Sequence, residues 1–392
     1  MHKKINFSSP NISLREYFSV AKVLSSEWLT TGKKTKQFES NVKEYIGLNN
    51  DTHAIAVNSA TAGLHLTLEA LGIKEGDEVI TTVLTFTSTA EVIRYLGADP
   101  VFCDIDPETL NIDLEKVETL ITPKTKAILV VHFAGNACNI DKLLSLKKKY
   151  NIPVIEDAAH SLSSTFNKKF IGAHGLDGTV FSFYANKTIT SGGEGGMVIV
   201  KDKKLADRIR IMTLHGIDKL PYDRYIKSNS RSWNYDVIAP GYKYNLTDIA
   251  ASIGISQLKR LPKFHKKRVQ LAKLYDQLLK DLPIILPPRS LNIFDHSWHL
   301  YIIQFEGKHI KKRDQLIDFF VQKKVGFSLH YKPLSLHTFW KVKYNLNPND
   351  FPNAHNYFKS ALTLPLHTKL NFRDIKFVCK CIRDIFDIGE IK

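Results

Sequence analysis

The chain has 392 residues, of which 43% are hydrophobic, 10% aromatic and 24% charged, the proportions of an ordinary globular protein of two or three domains. They exclude a mainly disordered chain, a collagen-like fibre and a small disulfide scaffold. Lys and Arg outnumber Asp and Glu by 55 to 39, a net charge of +16; the basic clusters are short and scattered, so the charge reads first as solvated lysine, with a capacity to attract polyanions.

Between residues 53 and 200 short β-branched runs alternate with helical patterns. Strands are expected at 54–57, 78–82, 101–105, 127–131, 153–156, 179–183 and 197–200, with amphipathic helices between them, one through Leu64, Leu68 and Leu71 and another over 140–150. This alternation predicts an α/β fold, a mostly parallel seven-stranded sheet with helices on both faces. In such a sheet ligands gather at the carboxyl ends of the strands. The periodicity weakens from residue 201 to 244, where the segment 219–241 is polar and aromatic. Helices over 245–261 and 262–282, a strand over 298–305, a helix over 311–324, a strand near 325–330 and a terminal helix predict a smaller α+β unit. The expected division is a large unit over 1–250 and a small one over 251–392.

The four cysteines, Cys103, Cys138, Cys379 and Cys381, form no CxxC pair and fit a reducing compartment. No signal-like apolar stretch opens the chain, and no run approaches the ~20 apolar residues of a bilayer span. A cytoplasmic protein without membrane insertion is the expectation.

Chemistry concentrates at three strand ends. Asp157, in Val154-Ile-Glu-Asp-Ala-Ala-His160, closes a buried apolar strand, where an unpaired carboxylate is costly and calls for a cation. Lys187 follows thirty positions later, just past another strand, with Ser182 five residues before it. A buried lysine has a lowered pKa and attacks aldehydes. An acid, a lysine and hydroxyls at strand ends fit pyridoxal 5′-phosphate (PLP): the lysine carries its aldehyde as a Schiff base, and the acid keeps the pyridine nitrogen protonated so that the ring acts as an electron sink. Asn58-Ser-Ala-Thr-Ala-Gly63, between the first strand and its helix, offers hydroxyls and backbone N–H groups to the phosphate. His132, just after a strand, either faces the cofactor or packs. There is no metal-ligand spacing, since His160 and His174 are too far apart for a helical pair and no HExxH occurs.

These residues resemble the DegT/DnrJ/EryC1/StrS sugar aminotransferases, of PLP fold type I. The resemblance rests on Trp28-Leu-Thr-Thr-Gly32, Asn58-Ser-Ala-Thr-Ala-Gly63, Glu156-Asp-Ala-Ala-His160, Phe181-Ser-Phe-Tyr-Ala-Asn-Lys187, Leu214-His-Gly216, Pro240-Gly-Tyr-Lys-Tyr-Asn-Leu246, Ser297-Trp-His-Leu300 and Leu329-His-Tyr331. Residues 56–66 and 240–248 are most similar to the branch that makes UDP-4-amino-4-deoxy-L-arabinose. Two departures from that branch leave the sugar open: the glycine run after Lys187 is one residue longer, and Phe86 stands where tryptophan is expected.

The resemblance implies a role for each matching position. Lys187 is the catalytic residue, bonded to the cofactor and moving the proton at the substrate carbon. Asp157 pairs with the pyridinium nitrogen, Phe86 stacks on the ring, His160 lies near the 3-hydroxyl, and Ala60, Thr61 and Ser182 bind the phosphate. Asn245 reaches the phosphate from a second subunit, which makes a homodimer part of the site, with segment 217–240 crossing the interface. Thr31, His299, His330 and Tyr331 face the substrate, with His337 a further candidate. The implied reaction takes an amino group, from L-glutamate by analogy, to a keto-sugar nucleotide with a 4-keto or 4-keto-6-deoxy sugar, in bacterial surface-glycan synthesis. Amination of another phosphorylated or 3-keto substrate, and a non-enzymatic PLP-binding regulator, are the alternatives. A retained Lys187 argues for turnover, and against the family's dehydratase branch, where histidine replaces it. A Rossmann dehydrogenase is disfavoured because Gly192-Gly-Glu-Gly-Gly196 precedes a strand instead of opening a helix. Nothing resembles a helix-turn-helix or an RNA-binding sheet, so no nucleic-acid partner is expected.

Overall fold

The computed structural model describes residues 3–218, 235–288 and 292–387. Two helices, α1 (Leu14–Leu24) and α2 (Lys33–Tyr45), lead into an alternation of β1 (His53–Val57), α3 (Ala60–Ala70), β2 (Glu78–Thr82), α4 (Ser88–Tyr95), β3 (Asp99–Cys103), α5 (Leu114–Thr119), β4 (Thr125–Val131), α6 (Ile140–Tyr150) and β5 (Val154–Asp157). A small hairpin of β6 (Thr165–Phe166) and β7 (Lys169–Phe170) follows, then β8 (Gly178–Ser182), β9 (Gly196–Val200) and α7 (Lys203–Met212). Seven strands form one sheet in the order β1-β9-β8-β5-β4-β2-β3. Only β9 runs against its neighbours β1 and β8; the other pairs are parallel. All seven expected strands are present, the third shifted two residues towards the amino terminus.

Side-chain alternation explains why both faces are covered. Along β4, Ile128 and Val130 enter a core with Phe38, Phe181 and Phe183. Ala127 and Leu129 enter a second core with Leu64, Val79 and Val198. Strands buried on both faces read as continuous apolar runs, and β5, β8 and β9 are buried throughout. Helix starts are fixed by caps: Ser59 accepts from the Ala62 N–H at 3.1 Å, and Asn139 accepts from the Lys142 N–H at 3.1 Å.

The remaining elements are α8 (Asp248–Leu258), α9 (Leu261–Leu279), β10 (Ile284–Ile285), β11 (Tyr301–Phe305), α10 (Ile310–Lys323), α11 (Thr338–Lys343), α12 (Pro352–Ser360), β12 (Ala361–Leu364) and α13 (Phe372–Asp387). A three-stranded sheet, β10-β11-β12, carries its own core of Trp298, Tyr301, Phe320, Leu362 and Ile382. Fully burying a side chain of this size stabilises by about 1.5–3 kcal/mol. The strand expected at 325–330 does not form; that segment makes only isolated bridges, Ile5 to Val325 and Ser328 to Thr363. The edge of β11 is taken instead by β12, in the register Tyr301 to Leu364. All four residues of β12 are buried, so it places more apolar surface on the core than the half-exposed segment 326–330 could. Helix α8 passes through the division expected at residue 250, and its Ala251, Ile255 and Leu258 join the larger core. Of the segment expected at 217–240, residues 219–234 lie outside the described residues. Among the described residues no helix is long and apolar enough to cross a membrane.

Candidate active site

The carboxyl ends of β1, β2, β5 and β8 open onto a cavity of about 440 Å3. Ala60, Thr61, Phe86, Asp157, His160, Ser182, Lys187, His330 and Tyr331 all line it. Asp157 ends β5, and its Oδ2 accepts from the Thr89 hydroxyl at 2.9 Å while Oδ1 accepts from the Ala159 N–H at 3.1 Å. Burial pushes this carboxyl up, and the Thr89 and Ala159 bonds and the Lys187 charge pull it back.

Lys187 follows β8 in a loop closed by backbone bonds. Its N–H donates to the Tyr184 carbonyl at 3.0 Å, and the Ala185 N–H donates to Gly193 at 2.9 Å. Burial lowers the Lys187 amine to about 8, with Asp157 acting against the shift. Deprotonation at a pH near neutrality makes the amine available as nucleophile and base.

A third element is the first turn of α3, capped by Ser59, where the leading N–H groups of a helix lack intrahelical partners and favour an anion. Strand β9 begins against this turn. A Cβ on Gly196 would lie 2.7 Å from the Ser59 carbonyl carbon and 2.8 Å from the Ala60 nitrogen, so only glycine lets the two backbones meet here.

The far wall is uncharged. The Ala134 N–H donates to His160 Nδ1 at 3.2 Å, which leaves the ring proton on Nε2, 3.3 Å from the Tyr331 hydroxyl. Burial first, then the Lys187 charge, holds His160 well below the usual histidine range. Burial and the same charge take His330 to about 3. Phe86 is 58% exposed, with its ring 6.0 Å from that of Tyr331.

Other expected residues lie elsewhere. His299 does not line the cavity; it packs behind it, 4.4 Å from the His160 ring. Thr31 and Asn245 also lie off the cavity wall and pair with each other, Asn245 Nδ2 donating to the Thr31 hydroxyl at 2.8 Å. His337 is exposed, next to the Lys332 carbonyl. His132 packs in the core: the Cys138 N–H donates to its Nδ1, and its Nε2 donates to Glu156 at 3.0 Å. The cavity also draws on Ser59 of the 58–63 motif, and on Thr85, Ser88, Tyr184, Asn186 and Glu194, which sequence reasoning did not single out. Proximity to a strand end is a signal that would have reached Thr85, Ser88 and Tyr184.

A family model described as the DegT/DnrJ/EryC1/StrS aminotransferase family matches residues 10–383. The chain belongs to this family. It is 41% identical over 381 residues to the spore coat polysaccharide biosynthesis protein SpsC of Bacillus subtilis, covering 97% of this chain and 96% of that one. Among solved structures it resembles the sugar aminotransferase Spr1654 of Streptococcus pneumoniae in its PMP-form, with TM-score 0.89 and 34% identity over 97% of this chain and 98% of that one. PseC of Helicobacter pylori, an aminotransferase involved in the biosynthesis of pseudoaminic acid, gives TM-score 0.89 and 29% identity over 98% and 100%. Membership makes the chain a PLP-dependent aminotransferase with the fold of the sugar-aminating enzymes. The donor set of the cavity suits that cofactor: an amine, a carboxylate, an aromatic face and a capped helix start with hydroxyls beside it.

Proposed function

We propose that the enzyme moves an amino group from L-glutamate to a 4-keto or 4-keto-6-deoxy sugar carried on a nucleotide, for the synthesis of a surface polysaccharide. The observation that carries the reading is the meeting of Lys187, Asp157 and the first turn of α3 in one cavity. Bound there, PLP supplies an aldehyde for an amine and an electron-withdrawing ring for charge at the substrate carbon. Lys187 would hold the aldehyde and, when free, would move the proton at the reacting carbon, a task suited to an amine near pKa 8. Asp157, aimed by Thr89 and Ala159, would pair with the ring nitrogen. Ala60, Thr61 and Ser182 would hold the phosphate, Phe86 would cover the ring, and His160 would lie near the 3-hydroxyl. His330 and Tyr331 meet the sugar, with His299 behind them. Asn245, beside Thr31, serves the phosphate of a partner subunit's site, so the working unit is a homodimer.

The name of SpsC supports the polysaccharide setting, and the sugar aminotransferase Spr1654 supports amination of a sugar. The four buried free cysteines fit the reducing cytoplasm. The net charge of +16 attracts a diphosphate substrate, and raised salt slows its capture.

The test follows the visible band of lysine-bound PLP. L-glutamate bleaches it in the wild type, and Lys187→Ala never forms it. A panel of keto-sugar nucleotides added to the bleached enzyme then restores the band with the true acceptor. Bleaching by another amino acid but not by glutamate overturns the donor, and restoration by 3-keto sugars alone overturns the acceptor.

A further inference from the structure

Behind Lys187, away from the main cavity, lies a second and much smaller one, lined by Asn186, Lys187, Gln257, Arg268 and His367 among others. Buried polar atoms without partners are uncommon, and each calls for an explanation. Nine such side-chain atoms occur among the described residues, and three of them belong to this lining: Asn186 Oδ1, Arg268 Nε and His367 Nδ1. Their concentration around one void points to an occupant.

The chemistry of the three atoms selects it. Arg268 is 4% exposed, and its Nη1 donates to the carbonyls of Trp298, His299 and Leu366 at 2.8, 3.3 and 2.9 Å, leaving Nε–H as an unused donor. His367 is 6% exposed. Its Nε2 donates to the Asn6 carbonyl at 3.1 Å, so Nδ1 is a bare acceptor. Asn186 Oδ1 is a second acceptor. The three unpartnered atoms thus offer one donor and two acceptors. A water molecule accepts one hydrogen bond and donates two, the complementary set. A chloride or carboxylate would accept from Arg268 but face two lone pairs, and a cation would face the guanidinium. The void has about 10 Å3 open to a water centre, room for one molecule.

We propose that Arg268, His367 and Asn186 build a site for one ordered water that ties the residue next to Lys187 to α9 and to the segment after β12. His367 acts through it as a positioning residue for Lys187.

Crystals of the full chain grown in bromide, at a resolution that orders water, test the site. One peak without anomalous signal, within hydrogen-bond reach of all three atoms, is expected. A bromide peak, an empty void or direct pairing of the three side chains overturns the proposal. The positioning role is tested with His367→Phe, which keeps a ring and removes the acceptor. With PLP affinity unchanged, glutamate should bleach the visible band about fivefold more slowly, the effect of losing the bond to the water, while the lost bond to the Asn6 carbonyl is read separately as a fall in Tm. An unaltered bleaching rate overturns that role, and the wild-type crystals decide the site even if the variant does not fold.

Discussion

The wall of the cavity built by the seven-stranded sheet carries Asp157 and Lys187, an acid whose pKa burial raises and a base whose pKa burial lowers. The wall built by residues 330–331, backed by His299, carries groups that burial keeps uncharged at neutral pH. The shift to about 8 brings the Lys187 amine close to the range where protons are exchanged, while burial moves the Asp157 carboxyl in the opposite sense. The second wall moves its groups away from that range, which suits hydrogen bonding to an uncharged sugar. Rigid backbone accompanies the charged side: Asp157 ends a strand paired on both edges, while Lys187 sits in a loop pinned to the glycine run.

Substitutions on the two walls should differ in effect. Lys187→Ala should abolish both the visible band and turnover. A surviving band would place the cofactor on another lysine. Asp157→Asn, which keeps shape but removes the charge, should lower kcat by about a hundredfold or more, measured by steady-state kinetics at saturating PLP. Thr89→Val removes a bond that holds the Asp157 pKa down, and should cost about fivefold. The sign on the pH axis is fixed: the Asp157 pKa rises further, so the acid limb of the kcat profile moves to higher pH. On the neutral wall, Tyr331→Phe should cost a few-fold at most, chiefly in KM for the sugar. If its loss matches that of Asp157→Asn, the two walls do not divide the work as described. The smallest effect concerns stability. His330 and His296 titrate near 3 in the folded chain against an ordinary 6.5, so the unfolded chain takes up protons first. Their contribution is complete above about pH 6.5 and is lost as pH falls towards about 3. His330→Gln should flatten the fall of Tm over that window by about 2 °C.

Much of this was legible in the chain. The seven strands announce themselves because a sheet covered on both faces needs uninterrupted apolar runs, and Asp157 and Lys187 stand out as charges just beyond such runs. β12 escaped because its four residues lie directly after a helix, where their apolarity reads as helix continued. The partners of the site residues escaped for a different reason. Thr89 meets Asp157 across 68 positions and Tyr331 meets His160 across 171, and no local periodicity encodes which side chains a fold brings together. His299 looked like a surface of the pocket and is instead the packing behind His160, a distinction that depends on burial alone.

The contact at Gly196 carries a consequence for how tightly positions here are bound. A glycine-rich run is readily taken for a phosphate cradle, yet the last glycine of this one lies against the first turn of α3, as a mould lies against a casting. Its contribution is the space it leaves. A single methyl group at residue 196 would displace the first turn of α3, whose Ser59, Ala60 and Thr61 line the cavity. A residue with no side chain and no charge therefore sets where one wall of the cavity stands.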